Sequence, residues 1–346
     1  MKDIKVSFCV PAYNVEKFIY KCISSILSQT LKEIEVIAVN DGSTDRTLEI
    51  LNSFDDYRLK IITKQNEGSS SARNDAIAFA RGKYIVNVDG DDFIHQDYAK
   101  DTYEMAENTN SDIVICDFFK FYDDNNIIYV SDYKVKKNGV IKDNVSYAKD
   151  IIFHRGGGYH VVWNKLIRRS LLVDYKFPNG IFMSDDYCVY AKITYNAKTI
   201  SKINKPLYYY RIGDNNQSSI SNKLSNMADS NFVYTDMINW VKKNINDNKE
   251  YVDFLWNNKI IVFYRKMLFV KPNLLDNTYL QAFKILKNDI DFIIKCPVFK
   301  DMKIKYKFMF YCVKYIKNDK ILAFVINIFG VVMTSFSKRK RIEKLI

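Results

Sequence analysis

The chain has 346 residues, 48% of them hydrophobic and 27% charged, a composition that fits one substantial globular domain plus a smaller one and excludes a disordered polymer. Its six cysteines, at positions 9, 22, 116, 188, 296 and 312, are scattered and form no CxxC pair, so they are expected as small core residues in a reducing compartment rather than as a disulfide frame or zinc site. The net charge of +12 is uneven: residues 1–110 carry 13 Lys/Arg against 18 Asp/Glu, while residues 231–346 carry 22 against 10. The basic last third implies an anionic partner, either membrane lipid or nucleic acid.

Lys5–Pro11 reads as a buried strand. The opening MKDIKVSFCVPAYN is not expected to act as a signal peptide, because its apolar run is short and leads into Pro and Asn. Asn14 is placed to cap a helix with apolar residues at Val15, Phe18, Ile19, Cys22, Ile23, Ile26 and Leu27. Ile34–Val39 is a second apolar strand ending in the turn signal Asn40-Asp41-Gly42-Ser43. Thr44–Phe54 predicts a helix, Leu59–Thr63 a strand, Ser71–Ala80 a helix capped by Ser69 or Ser70, and Tyr84–Val88 a fourth strand. His95–Glu107 reads as helix and Asp112–Phe118 as a fifth strand, followed by a hairpin over about 118–135 and a helix over Asn144–Phe153. Arg155-Gly156-Gly157-Gly158 reads as a flexible loop, residues 160–212 are mixed, and the pattern beyond about 222 is helical and aromatic-rich.

Alternation of helices with continuous apolar strands predicts an α/β fold: a mostly parallel sheet with helices on both faces. Ligands of such sheets bind at the carboxyl ends of the strands. Those ends carry Pro11–Asn14, Asn40–Ser43, Lys64–Gly68 and Asp89–Asp92, which gathers four polar clusters on one edge. The last cluster closes the stretch YIVNVDGDDFI. Three carboxylates within four residues are costly to bury unpaired, so either the loop is wet or a cation sits there. Mg²⁺ and Mn²⁺ take oxygen ligands, commonly one or two carboxylates plus substrate phosphate, and Gly90 leaves room for close approach.

Three segments carry a resemblance: VSFCVPAYNVEKFIYKCISSILSQT, then IEVIAVNDGSTDRT, then NEGSSSARNDAIAFARGKYIVNVDGDD. In this order and spacing they resemble glycosyltransferase family 2, strongly over about 5–95 and more loosely to about 220. The resemblance implies the GT-A fold: a Rossmann-like nucleotide-sugar half over 1–118, an acceptor half over 119–220, and inverting transfer from a nucleotide-diphosphate sugar with a DxD-bound Mn²⁺ or Mg²⁺. By position, Pro11, Ala12 and Tyr13 would line the nucleotide pocket with Glu16 close by. Asp41 would accept from a uracil ring N–H, which makes a UDP-sugar the default donor, and Arg73 would also reach the base. Asp89 would hold the ribose and share the metal with Asp91, with Gly90 between them and Asp92 in support. Taken singly, Asp41 and Arg73 also read as a turn cap and a surface ion pair.

The acceptor half must supply a general base. In FPNGIFMSDDYCVYAKI the family's usual Glu-Asp pair is matched by Asp185-Asp186 downstream of Gly180, and Asp186 is expected to act, with Asp185 in place of the usual Glu as the alternative. The same pair also reads as a helix N-terminus favoured by the dipole. WNKLIRRSLL is similar to a segment of capsule- and cell-wall-type members; Trp163 would stack on a sugar or fill the core, and Lys165 would reach a phosphate or the catalytic carboxylates. In YYYRIGDNNQSSIS, similar to a loop that closes over the donor, Arg211 is the candidate diphosphate contact and Ser218-Ser219 belong to the same loop. His160 is weighed as a metal or acceptor contact against a structural role; His95 and His154 carry no signal.

The apolar run Ile321–Met333 is short of the roughly 20 residues a spanning helix needs. Followed by SFSKRKR, it reads either as a buried helix or as an interfacial segment held to an anionic membrane surface by Lys338–Arg341. The sequence therefore points to a cytoplasmic enzyme, peripheral at the inner face of the cell membrane, with a basic helical region over 221–346. It would move sugar to a glycan or lipid-linked acceptor in surface polysaccharide synthesis and bind no nucleic acid, since the sheet edge is acidic. A catalytically silent partner subunit is the alternative. A sugar nucleotidyltransferase ranks lower, because PAYNVEKF lacks the glycines such a loop needs.

Overall fold

In a computed structural model the chain divides into two compact units, Met1–Asp214 and Asn215–Ile346. The structure describes residues 3–133, 135, 137–141, 144–153, 160–181, 185–213, 227–269, 277–296, 299–300, 302, 304–318, 321–322 and 325–326. The glycine run 156–158, His154, Ser218-Ser219 and the basic cluster 338–341 lie outside the described residues.

The first unit begins with β1 (Val6–Ala12), α1 (Ile19–Leu27), β2 (Ile34–Asp41), α2 (Thr47–Asn52), β3 (Leu59–Lys64), α3 (Ser69–Phe79) and β4 (Tyr84–Asn87). It continues through β5 (Phe93–Ile94), α4 (Tyr98–Thr109), β6 (Ile113–Asp123), β7 (Asn126–Val130), β8 (Gly139–Val140) and α5 (Asn144–Ile152). The last elements are β9 (Lys165–Arg168), α6 (Arg169–Leu172), α7 (Asp185–Asn196) and β10 (Ile200–Arg211). Among the described residues the strands form one sheet in the order β3-β2-β1-β4-β9-β6-β10-β5, with β7 added to β6 and β8 to β10. The pairs β1–β2, β1–β4, β2–β3 and β6–β10 are parallel. Strand β9 runs antiparallel to both β4 and β6, so it separates two parallel blocks.

The apolar patterns account for the core. Every residue of β2 and β4 is buried, as a strand covered on both faces requires. One face of β1, β2 and β4 supplies Val6, Phe8, Val10, Val36, Ala38, Tyr84 and Val86, packed against Ile19, Cys22, Ile23 and Ile26 of α1. All six cysteines are free and buried.

Helix α1 starts later than its apolar spacing predicts. Asn14 takes a left-handed backbone (φ 52°) and its side-chain oxygen accepts from the Thr44 N–H instead of capping. The Val15 N–H goes to Thr47 Oγ1 and the Glu16 N–H to Asp45, while Glu16 accepts from the Arg46 N–H. The amides that would begin a helix are thus spent on the loop after β2, which binds the PAYN and DGSTD loops into one surface. Gly68, at φ 93°, stands where a capping side chain is expected before α3. The two preceding amides are satisfied by Asp41, which accepts from the N–H groups of Glu67 (3.0 Å) and Gly68 (2.8 Å).

The second unit contains α8 (Met227–Asn244), α9 (Lys249–Phe269), α10 (Asn277–Ile293) and α11 (Ile304–Tyr315). Lys259 of α9 is buried, ion-paired to Asp289 of α10 at 2.6 Å and donating to Thr235 of α8 at 3.0 Å, so one cation ties three helices. No helix among the described residues is long and apolar enough to cross a membrane.

Candidate active site

Parallel pairing sets the carboxyl ends of β1, β2 and β4 side by side, which is why residues far apart in sequence meet. Pro11 and Ala12 end β1, and Tyr13 follows, exposed. The loop Asp89–Asp92 follows β4 and presses on the end of β1. A Cβ on Gly90 would lie 2.9 Å from the Pro11 carbonyl oxygen and 3.3 Å from Val15 Cγ2, so the approach of the two loops depends on that glycine.

Arg73 organises the centre. It is buried on α3, with Nη2 bonded to Asp89 Oδ1 at 2.7 Å and Nη1 bonded to Asp185 Oδ2 at 3.0 Å. The same Nη1 lies 3.5 Å from Asp186 Oδ1, an ion pair too long for a hydrogen bond. One guanidinium on α3 therefore joins the loop after β4 to the first turn of α7, with Asp185 lying 112 residues beyond Arg73 in sequence. Its position is fixed by three carboxylates; Ser70 Oγ adds a 2.6 Å hydrogen bond to Asp185. Asp41 is bonded to the Glu67 and Gly68 amides and stands outside this cluster.

The two α7 carboxylates differ. Asp185 is held by Arg73 and Ser70. Asp186 accepts the Val162 N–H at 3.3 Å on Oδ2, and its buried Oδ1 has no hydrogen bond. Burial, reinforced by Asp185 and Asp89 and opposed by Arg73, pushes the Asp186 carboxyl up to about 7. A buried carboxylate with an open oxygen and a pKa near neutrality has the properties of a general base.

The remaining aspartates divide their work. Asp92 is buried and bonded to Tyr208 Oη (2.6 Å) and the Arg211 N–H (2.7 Å). Asp91 is half-buried; burial and the neighbouring Asp89 raise its carboxyl to about 6. Arg211 donates from Nε to the Asp91 carbonyl (2.8 Å), and its guanidinium covers the rings of Phe18, Phe121 and Phe93. No cluster of three or more His, Cys, Asp or Glu that could hold a metal is present among the described residues. The donor set Asp89–Asp91 fits a cation whose other ligands come from a substrate diphosphate, the arrangement hard divalent ions commonly use.

Two residues singled out in the sequence belong to the interior. Trp163 is a core aromatic, stacked on Tyr208 and Tyr210 and edge-on to Phe118. Lys165 is fully buried on β9, bonded to Asp132 at 2.9 Å and to Asn164, with its ammonium over the Tyr190 ring. Its place opposite Ile115 of β6 points it into a neutral buried network that also holds Asp117 and Lys202. His160 packs edge-on against Tyr187.

The sequence profile described as Glycosyl transferase family 2 matches residues 7–191, more than half of the chain. The chain belongs to glycosyltransferase family 2. It is 33% identical over 215 residues to the glycosyltransferase GlyA of Streptococcus pneumoniae serotype 4, covering 61% of this chain and 31% of that protein. It is 36% identical over 222 residues to EpsJ of Bacillus subtilis, named as an uncharacterized glycosyltransferase, covering 63% and 64%. The chain thus spans less than two thirds of the length of these relatives. Among solved structures, residues 1–349 of S. aureus TarS in complex with UDP-GlcNAc superpose with a TM-score of 0.64 at 22% identity, covering 97% of this chain and 92% of that one. At that identity the likeness is one of fold: the GT-A sheet with a helical C-terminal region. The chain therefore has the fold and family its motifs imply.

Proposed function

We propose that this enzyme is an inverting, metal-dependent glycosyltransferase that moves a sugar from a UDP-sugar to a glycan or lipid-linked acceptor in surface polysaccharide synthesis. One observation carries the reading: Arg73 holds Asp89 of the DGD loop and the Asp185–Asp186 pair on a single guanidinium. On this reading the shared guanidinium keeps a donor-side carboxylate close to the base. The TarS complex with UDP-GlcNAc on the same fold supports a uridine donor.

In this mechanism Asp186 accepts the proton of the acceptor hydroxyl through its open Oδ1. The freed oxygen forms the new bond at the anomeric carbon as the bond from that carbon to the diphosphate breaks, with inversion, and the nucleoside diphosphate leaves with the bonding pair. Asp185 keeps Arg73 in place, and Arg73 restrains the pKa of Asp186 from rising further. Asp89 and Asp91 would hold a divalent cation, which when bound neutralises charge on the departing diphosphate. The surface joining Pro11–Glu16 to Asp41–Arg46 would receive the nucleoside, with Arg211 at the diphosphate side. The basic last third would hold the enzyme at the anionic inner face of the membrane.

Calorimetric titration of UDP, GDP, dTDP and CDP with and without Mn²⁺ tests this. UDP binding that requires the metal and is lost in Asp91→Asn is the expected result. Binding of no nucleotide would overturn the proposal in favour of a catalytically silent partner subunit.

A further inference from the structure

Asp92 carries no donor or acceptor atom to the open side of the site, yet it is buried and doubly bonded. Tyr208 Oη donates to Asp92 Oδ2 at 2.6 Å and also accepts the Asp89 N–H at 3.2 Å. The Arg211 N–H donates to Asp92 Oδ1 at 2.7 Å, and Arg211 Nε to the Asp91 carbonyl at 2.8 Å. Each of the three aspartates is thereby fastened to β10 through a backbone or side-chain atom. The Tyr208 ring is itself supported. It stacks on Trp163 with centroids 4.5 Å apart, and Trp163 is held on its other contacts by Tyr210 and Phe118. Trp163 directly follows Val162, whose N–H binds the base Asp186.

We propose that Tyr208, backed by Trp163, is a positioning residue: a strut that fixes the metal-binding loop Asp89–Asp92 at its working distance from Asp186. The inference rests on the metal-dependent reading above and adds a residue that touches neither donor nor metal. The hydroxyl is the working part, because it alone bridges the Asp89 amide and the Asp92 carboxylate. The ring is the support, because it is the part of Tyr208 that stacks on Trp163. Partners that orient metal ligands typically change metal affinity 10–100-fold when removed.

The test is Tyr208→Phe, which keeps the ring and its stack and removes both hydrogen bonds. Mn²⁺ is titrated calorimetrically into the protein saturated with UDP, and circular dichroism reports folding. The strut predicts a loss of Mn²⁺ affinity of about tenfold or more with the fold intact. Tyr209→Phe serves as the control: that ring stacks on Phe93 at 4.5 Å, and its hydroxyl is to have no effect on Mn²⁺ affinity. Should Tyr208→Phe fail to fold, Asp92→Asn carries the same measurement from the other end of the bond, with a loss in the same direction. Unchanged Mn²⁺ affinity in whichever of these variants folds overturns the strut while leaving the metal reading standing. A wild-type protein whose UDP binding ignores Mn²⁺ overturns both.

Discussion

Replacing Asp185 with Asn separates the two carboxylates that share α7. The change is isosteric, leaves an oxygen for Ser70, and removes one negative charge beside Asp186. Asp185 Oδ2 and Asp186 Oδ1 lie 3.0 and 3.5 Å from the same Arg73 nitrogen, so they are at most about 6.5 Å apart. At an effective dielectric of about 20, unit charges at that distance repel by about 2.5 kcal/mol or more, close to two pH units. Losing that repulsion lowers the pKa of Asp186 from about 7, and Arg73, with one fewer carboxylate to serve, adds to the fall. In the proposed mechanism Asp186 works deprotonated, so activity is expected to drop as pH falls through its pKa. The acid limb of kcat/KM, followed by UDP release from a donor that turns over, is expected near pH 7 in the wild type and one to two units lower in Asp185→Asn. A limb that stays in place or moves alkaline would refute the electrostatic coupling. Loss of turnover in Asp185→Asn with activity retained in Asp186→Asn would transfer the role of base to Asp185.

Asp186→Asn should lose turnover by a factor of at least about 100 while gaining stability at alkaline pH. A carboxyl whose folded pKa is raised from 3.8 to about 7 favours the fold fully below 3.8 and loses that contribution as pH rises through 7. Thermal melts of the variant and wild type should therefore diverge as pH rises from about 4, levelling above 7 at a difference of a few kcal/mol, and parallel curves would contradict the burial of that charge. Gly90→Ala drives a methyl against the Pro11 carbonyl at 2.9 Å, and overpacking of this kind costs about 1–3 kcal/mol; UDP affinity and melting temperature are both expected to fall. Lys165→Met takes the ammonium away from the buried Asp132 carboxylate and should cost about 3–5 kcal/mol in a urea titration, most of it recovered in the double variant with Asp132→Leu.

The nucleotide half was legible because its signals are local. Continuous apolar runs marked β1, β2 and β4, and the polar residues closing each run fell on one edge once parallel pairing was assumed. The DGDD loop was legible from its carboxylates at a strand end, and the Asp185–Asp186 pair only through the family resemblance. Strands β9 and β10 were not legible: KLIR is only four residues, and β10 contains Pro206 and Lys202, so neither shows a clean apolar period. Missing β9 hid the antiparallel strand that divides the sheet. It also hid the burial of Lys165, whose partner Asp132 lies 33 residues away. The start of α1 is not legible because Asn14 reads as a cap, while the amides it would serve are claimed by a loop 29 or more residues on. Tyr208 was hidden in YYYR, where alternation sends one tyrosine to Asp92 and its neighbour to Phe93, a distinction set by strand register alone.

The charge balance of the site argues for how the donor arrives. Asp89, Asp91, Asp92, Asp185 and Asp186 stand against the guanidinium groups of Arg73 and Arg211, while the nearby cation Lys165 is committed to Asp132. The carboxyls of Asp91, Asp92 and Asp186 are all pushed upward, with burial first among the causes and neighbouring aspartates adding to it. A diphosphate brought alone to this edge adds like charge to like charge. Protonating the aspartates would relieve the repulsion but would also disable the base. A divalent cation shared between the Asp89–Asp91 loop and the diphosphate relieves it at a pH where Asp186 is ionised. In the proposed mechanism, metal dependence and base catalysis would therefore both follow from a single electrostatic condition, and Arg73, paired with Asp89 and close to Asp186, stands where that condition is set.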